Sequence, residues 1–278
     1  YHVDGFRYDA TRWVGWEGYN DWGAGWFAYA AKQADPASIQ IAEHLPADPE
    51  LQNKTEMDSG WHDYFRWKLR DMIRNTKLDR LEFAHILDAR SLGFSNSFQR
   101  VVYVESHDEE RFLRELIDAG FARDEAIRRS IAALAIMLTA PGPAMVYAGQ
   151  EFGEATPKVV GPNPLHWDNL ENLEYRQLFA AFKALARLRT NHPALRTGTV
   201  EFSAAGLPED VIFYKRLSDA SSVVVAANLG KTARRITLDL AADKNWTNVL
   251  NPGSSFQREG DAIPVELLPG GVIVAATE

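Results

Sequence analysis

Apolar and polar positions divide the chain into two textures. Up to about residue 197, short apolar runs alternate with longer segments in which apolar residues recur every three or four positions. The short runs, Tyr1 to Phe6, Ile39 to Ala42, Arg100 to Glu105 and Ala144 to Ala148, have the length of strands, and Gly60 to Phe65 offers a weaker fifth. The best helical pattern, Asp124 to Thr139, aligns Ile127, Ile131, Leu134 and Leu138 on one face. A second, Glu174 to Thr190, aligns Leu178, Phe182, Leu185 and Leu188. Shorter helices are predicted over Tyr19 to Gln33, Tyr64 to Asn75 and Leu81 to Ala89. Strands alternating with helices predict an α/β layer built on a parallel sheet.

From about Gly198 the helical patterns stop. Apolar runs at Val200 to Ser203, Val211 to Arg216, Ser222 to Asn228, Arg234 to Leu240, Asn245 to Leu250 and Val272 to Ala275 are separated by Gly, Pro, Asn and Asp turn signals. Their spacing, roughly 8 to 12 residues, is that of an antiparallel sandwich. The expected domains are therefore 1–197 and 198–278.

Composition narrows the function classes. A net charge of −8 leaves no broad basic surface, so no nucleic-acid partner is expected. No apolar run reaches the roughly 18 residues of a membrane-spanning helix, and no membrane partner is expected. The absence of cysteine removes disulfides, thiolate metal sites and cysteine nucleophiles together, while leaving the compartment open.

Charged residues gather where three strand-like runs end. They are Asp4-Gly5-Phe6-Arg7-Tyr8-Asp9, then Ile41-Ala42-Glu43-His44, then Glu105-Ser106-His107-Asp108-Glu109-Glu110-Arg111 after Val101 to Val104. Each has an ordinary reading by itself: a strand end in solvent, a turn glutamate, and a helix start capped by Ser106 or Asp108. Taken together, acidic groups recur at the carboxyl ends of separate strands, which share one face in a parallel barrel. Three carboxylates on one face suit glycosidic-bond cleavage with retention, in which nucleophile and acid stand about 5 to 5.5 Å apart around an oxocarbenium-like transition state.

These residues resemble the α-amylase family of glycoside hydrolases and transglycosidases. The resemblance implies that Asp9 is the nucleophile with Arg7 two residues before it, that Glu43 is the general acid, and that His107 and Asp108 contact the sugar and stabilise the transition state. Residues 142–153 look like the eighth barrel strand and its loop, with Gln150 and Glu151 in barrel-top hydrogen bonding. The implied fold is the second half, strands 4 to 8, of a (β/α)8 TIM barrel followed by an antiparallel β-sandwich domain. The missing N-terminal half of the barrel is then expected from a separate fragment or chain, and this chain expressed alone is expected to be insoluble or inactive.

The implied substrate partner is an α-glucan, and the implied activity is cleavage of α-1,4-glucosidic bonds in starch- or glycogen-like glucans or malto-oligosaccharides through a covalent glycosyl-enzyme. Transfer by a 1,4-α-glucan branching enzyme is the alternative, and a non-catalytic glucan-binding module is the second alternative. His44, Trp13 and Trp61 are expected to join Arg7 and His107 in substrate binding. Trp16, Tyr64, Tyr147 and Trp167 are further aromatic candidates, each with core packing as its other reading. Ala10-Thr11-Arg12-Trp13 lacks the Lys-His pair that many α-amylases carry after the nucleophile, and no early Asn-His motif is present. The run Tyr103 to Glu109 is similar to branching enzymes. No cofactor and no metal ligand are expected from these residues; members that bind structural calcium hold it largely through the upstream part of the barrel.

Overall fold

A computed structural model describes residues 2–16, 19–196, 199–219, 221–260 and 262–277. Tyr1, at the head of the first predicted strand, and Thr197 and Gly198, at the predicted domain boundary, lie outside the described residues. In chain order the elements are β1 (Gly5–Tyr8), α1 (Thr11–Val14), α2 (Gly23–Ala34), β2 (Ile39–Ala42), α3 (Pro49–Lys54), β3 (Ser59–Trp61), α4 (Asp63–Asn75), α5 (Arg80–Leu87) and β4 (Arg100–Tyr103). Then come α6 (Phe112–Asp118), α7 (Arg123–Thr139), β5 (Ala144–Met145), α8 (Leu173–Asn191) and α9 (Pro193–Arg196). Among the described residues seven strands follow: β6 (Thr199–Phe202), β7 (Val211–Leu217), β8 (Ser222–Asn228), β9 (Arg234–Thr237), β10 (Trp246–Asn248), β11 (Pro264–Leu267) and β12 (Val272–Thr277).

The chain divides into two compact units. The first comprises Tyr1–Trp67, His85–Tyr103 and Gly142–Met145, and the second Lys68–Ala84, Val104–Pro141 and Val146–Glu278. All five strands of the parallel sheet, in the order β1-β2-β3-β4-β5, lie in the first. The β1–β2 register pairs Gly5 with Ile39, Phe6 with Gln40, Arg7 with Ile41 and Tyr8 with Ala42. Gly5 permits this approach, since a Cβ there would lie 2.0 Å from the Ile39 carbonyl oxygen. Helix α2 turns Ala24, Gly25 and Ala28 inward, where Ala24 and Ala28 pack with Ala42, Leu51 and Met57. The sequence missed α3, although Asp48 accepts from the Glu50 N–H and Pro49 opens the first turn, both helix-start signals.

In the second unit, α7 is buried over almost its whole circumference from Ala132 to Thr139, rather than along the single stripe its spacing predicts. The cause is that α6, α8, β8 and β12 all pack against it. Strands β10-β12-β8-β7-β6 form one antiparallel sheet and β11-β9 a second. Val211, Phe213, Val224 and Ala226 of the larger sheet meet Ile236 and Leu267 of the smaller in one core. The opposite face of β7 meets α7, where Arg216 donates to the Thr139 carbonyl at 2.6 Å.

Arg129 on α7 is fully buried. Its guanidinium donates to the Leu229 and Gly230 carbonyls at 3.0 and 2.8 Å and to the Glu125 carboxylate at 2.7 Å, over the face of Phe121. Arg129→Met keeps the stem but strands these acceptors away from water. The substitution is expected to destabilise this unit by about 3 kcal/mol, read as a lower urea midpoint in the full-length protein. An unchanged midpoint would show that the carbonyls find other donors.

Candidate active site

Residues two apart on a strand face the same way, so the spacing of Arg7 and Asp9 lets one reach the other at the carboxyl end of β1. Arg7 Nη1 donates to Asp9 Oδ1 at 2.5 Å, and Nη2 lies 2.9 Å from Glu43 Oε2. The paired register of Tyr8 with Ala42 makes Asp9 and Glu43 the next position on each strand, and the Glu43 N–H donates to the Tyr8 carbonyl. One guanidinium therefore holds two carboxylates. Their environments differ, with the Asp9 side chain 76% exposed and that of Glu43 only 12%. Trp61 is buried beneath this group, its ring centroid 4.6 Å from the Arg7 guanidinium carbon, so it supports the arginine rather than facing solvent.

Ala10 adopts a left-handed conformation, φ 45° and ψ 44°, which is costly for a residue with a Cβ. The conformation turns the chain sharply, and the Ala10 N–H donates to Glu43 Oε2 at 2.8 Å. Thr11 is buried, and its hydroxyl donates to the Glu43 carbonyl at 2.9 Å and lies 3.0 Å from His44 Nδ1. With that hydroxyl proton used, the ring nitrogen is the donor, which sets the His44 tautomer. Burial, aided by the Arg12 and Arg100 charges and opposed by Asp48, holds His44 below the usual histidine range. His44 is thus a neutral, buried strut of the Glu43 turn, and the structure does not present it to solvent. Trp13 on α1 is 88% exposed, and Trp16 packs against the Ala24–Met57 core cluster.

The His107 and Asp108 segment belongs to the second unit. Both side chains are about half exposed, with His107 Nε2 3.5 Å from Asp108 Oδ1. Ser106 donates through its N–H and its hydroxyl to Glu109, and the Asp108 N–H donates to the Ser106 hydroxyl at 3.1 Å. The following helix is not capped by Ser106 or Asp108. Instead the Phe112 N–H donates to the buried Glu105 carboxylate at 2.9 Å. Arg70 donates to the Val104 and Glu110 carbonyls, and Lys158 donates through its N–H to Glu110 and through Nζ to the Asp108 carbonyl.

Sequence reasoning named Glu105 at the end of its run but gave it no role, and it missed Arg70 and Lys158. Tyr147 lies under Arg111, 4.0 Å from ring centroid to guanidinium carbon, and Trp167 packs on Phe152 while remaining 59% exposed. Glu151 accepts from the Gly149 N–H and Gln150 from the Tyr147 N–H, both local turn bonds. Among the described residues, no group of three or more His, Asp or Glu could hold a metal ion.

No family model matches the chain. It is 24% identical over 243 residues to Alpha-amylase 2 of Dictyoglomus thermophilum, an alignment covering 82% of this chain and 41% of that protein. It is 25% identical over 237 residues to a cyclomaltodextrinase of a Bacillus species, covering 84% and 40% respectively. A solved cyclomaltodextrinase structure aligns with a TM-score of 0.78 at 22% identity, over 99% of this chain and 46% of that one. The chain is a relative of the α-amylase family. It spans about two fifths of the length of the curated relatives it matches. Its fold is that of the corresponding portion of α-amylase-family barrel proteins, a parallel partial-barrel sheet with antiparallel sheets after it. The carboxylates of this α-amylase relative fall immediately after β1 and β2, and Asp108 in the segment that follows β4.

Proposed function

We propose that the full-length protein is a retaining glycosidase acting on α-1,4-glucosidic bonds of starch- or glycogen-like glucans or malto-oligosaccharides. In this reading Asp9 is the nucleophile, Glu43 the acid and then the base, and Asp108 with His107 binds the sugar. The observation that carries it is the single Arg7 guanidinium gripping Asp9 and Glu43 at matching positions on neighbouring parallel strands. Such strands lie about 4.8 Å apart. That spacing suits the roughly 5 to 5.5 Å of a retaining pair better than the roughly 6.5 to 9.5 Å that admits a water between the carboxyls. The names of the relatives, α-amylase and cyclomaltodextrinase, support the glucan class.

Arg7 also fits the charge flow of the double displacement. Before attack, Asp9 is ionised and Glu43 carries the proton. When Asp9 Oδ bonds to the anomeric carbon, Glu43 gives its proton to the leaving oxygen, and the one negative charge passes from Asp9 to Glu43. A cation touching both groups neutralises that charge in either place, without moving. In the second step Glu43 takes the proton of the incoming hydroxyl and the charge returns to Asp9. Asp108, held outward by its turn, binds ring hydroxyls more tightly as the sugar flattens.

Among the described residues β1 pairs with β2 alone, and Val3, Phe6 and Ile39 nearby are 57%, 49% and 52% exposed. The proposal gives further polypeptide, from the same chain or another, the place beside β1 that completes the barrel. Transfer to a sugar hydroxyl is the second reading, supported by the likeness of Tyr103 to Glu109 to branching enzymes.

The test is proton NMR of the full-length protein acting on maltoheptaose and amylose. An α-configured first product is expected, and a β-configured one would overturn the retaining assignment. Accumulating reducing ends would support hydrolysis, whereas new α-1,6 signals with few new ends would replace it with transfer.

A further inference from the structure

Glu105 is a buried carboxylate in the Asp108 segment that the proposed chemistry leaves unused. It is 3% exposed, three residues before Asp108. Its Oε1 accepts from the Phe112 N–H at 2.9 Å, and its Oε2 accepts from Arg111 Nη1 at 3.3 Å. Around it stand Phe112 and Leu113 of α6, Ser130 and Leu134 of α7, Gln150, and Leu178 of α8, none of them charged. The charged groups that act on it are Arg111 and Arg70. A solvated strand-end glutamate needs no such enclosure, and a purely structural site would be filled more stably by an apolar side chain.

We propose that Glu105 is a positioning residue for Asp108: by binding Phe112 and Arg111 together it closes residues 105–112 into a fixed loop whose exposed end presents His107 and Asp108. This rests on the proposed function. The loop is tied across by Ser106 to Glu109 and on its outer side by Glu110 to Lys158, so the Glu105 bonds form its base. Arg111 is itself stacked on Tyr147, which makes it a firm anchor. The ionised carboxylate accepts from both partners with charge assistance, while the protonated form keeps one good acceptor and gives up the ion pair.

Burial pushes Glu105 up to about 7, against the Phe112 N–H bond and the two arginine charges. As the pH falls through that value the base of the loop loosens and Asp108 leaves its productive position. Misplacing a catalytic group by an ångström costs up to about 100-fold.

The experiment compares wild type, Glu105→Gln and Glu105→Asp in the full-length protein, measuring kcat and KM on maltoheptaose from about pH 5 to 9. Wild type is expected to lose kcat below about pH 7. Glu105→Gln should be about 10- to 100-fold slower at alkaline pH, should converge on wild type at acid pH, and should lack that limb. Glu105→Asp, which still ionises, should restore the limb. A Glu105→Gln protein with wild-type kcat at every pH overturns the proposal.

Amide hydrogen exchange across Ser106 to Arg111 in the wild-type protein gives a second readout that needs no turnover and no variant. Protection is expected to fall as the pH drops through about 7 after correction for intrinsic exchange, and pH-independent protection overturns the proposal. If wild type turns over no glucan while this protection titrates, the functional reading fails and the loop role of Glu105 stands.

Discussion

Asp9→Asn in the full-length protein is expected to lower kcat/KM on malto-oligosaccharides by about 10^4- to 10^6-fold, the scale of losing a covalent nucleophile. The fold should be untouched. The side chain is 76% exposed, its one ion-pair partner among the described residues is Arg7, and an amide oxygen still accepts from that guanidinium. Asp9→Gly goes further, because it removes the nucleophile and leaves space beside Arg7 for a small anion. Azide entering that space attacks from the nucleophile's side, so the product should be a glycosyl azide of configuration opposite to the substrate. Near-wild-type turnover by Asp9→Asn would remove Asp9 from the chemistry. Azide that gives neither rate nor product would mean that the space beside Arg7 is not where attack begins.

Glu43→Gln should produce a different signature. Glu43 Oε2 is taken by Arg7 and by the Ala10 N–H, while Oε1 has no hydrogen-bond partner among the described residues. In the proposed function, Oε1 is thus the oxygen free to carry the proton toward the leaving group. The substituted amide can keep its carbonyl oxygen on Arg7 and Ala10 and put its NH2 where Oε1 was, so binding is retained while the transferable proton is lost. The expected loss on malto-oligosaccharides is about 10^2- to 10^4-fold, the range for a general acid, with KM close to wild type. Aryl glycosides whose phenols leave without protonation should form the intermediate nearly normally. Equal losses on both substrate types would deny Glu43 the acid role. Indifference of all turnover to Glu43→Gln would favour a glucan-binding module without catalysis.

The sequence disclosed what lies along strands and helices, because periodicity reports local facing. The R-x-D spacing of Arg7 and Asp9 and the glutamate ending Ile39 to Ala42 were legible for that reason, as were six of the seven C-terminal strands. Strand β11 was not, since Pro264 and Glu266 break an already short apolar run. The left-handed turn at Ala10 was hidden because alanine carries no sign of it, and the turn exists to point one N–H at Glu43. Buried charge was the larger omission. Glu105, Arg100, Arg129 and Arg216 are each at most 3% exposed; the arginines bond largely to backbone carbonyls of distant segments, and Glu105 to the start of the next helix, pairings that no pattern in the chain announces. Trp61 shows the same limit from the apolar side, for its role under Arg7 depends on the pairing of β2 with β3.

The hydrogen-bonded register of β1 and β2 bears on how such a protein diversifies. Four residue pairs set where the two carboxylates stand, and the connecting segment between the strands takes no part in that pairing. In the proposed function, insertions in the turn at residues 19–22, away from the α2 face that packs on Ala42, Leu51 and Met57, can therefore alter which polymers gain entry without touching the stereochemical outcome. A one-residue slip inside β1 would instead turn Arg7 to the other face, and one inside β2 would turn Glu43, either breaking the pair at a stroke. On the proposed function, selectivity can drift in that turn from one descendant to the next, while the configuration of the product is inherited through eight residues of backbone.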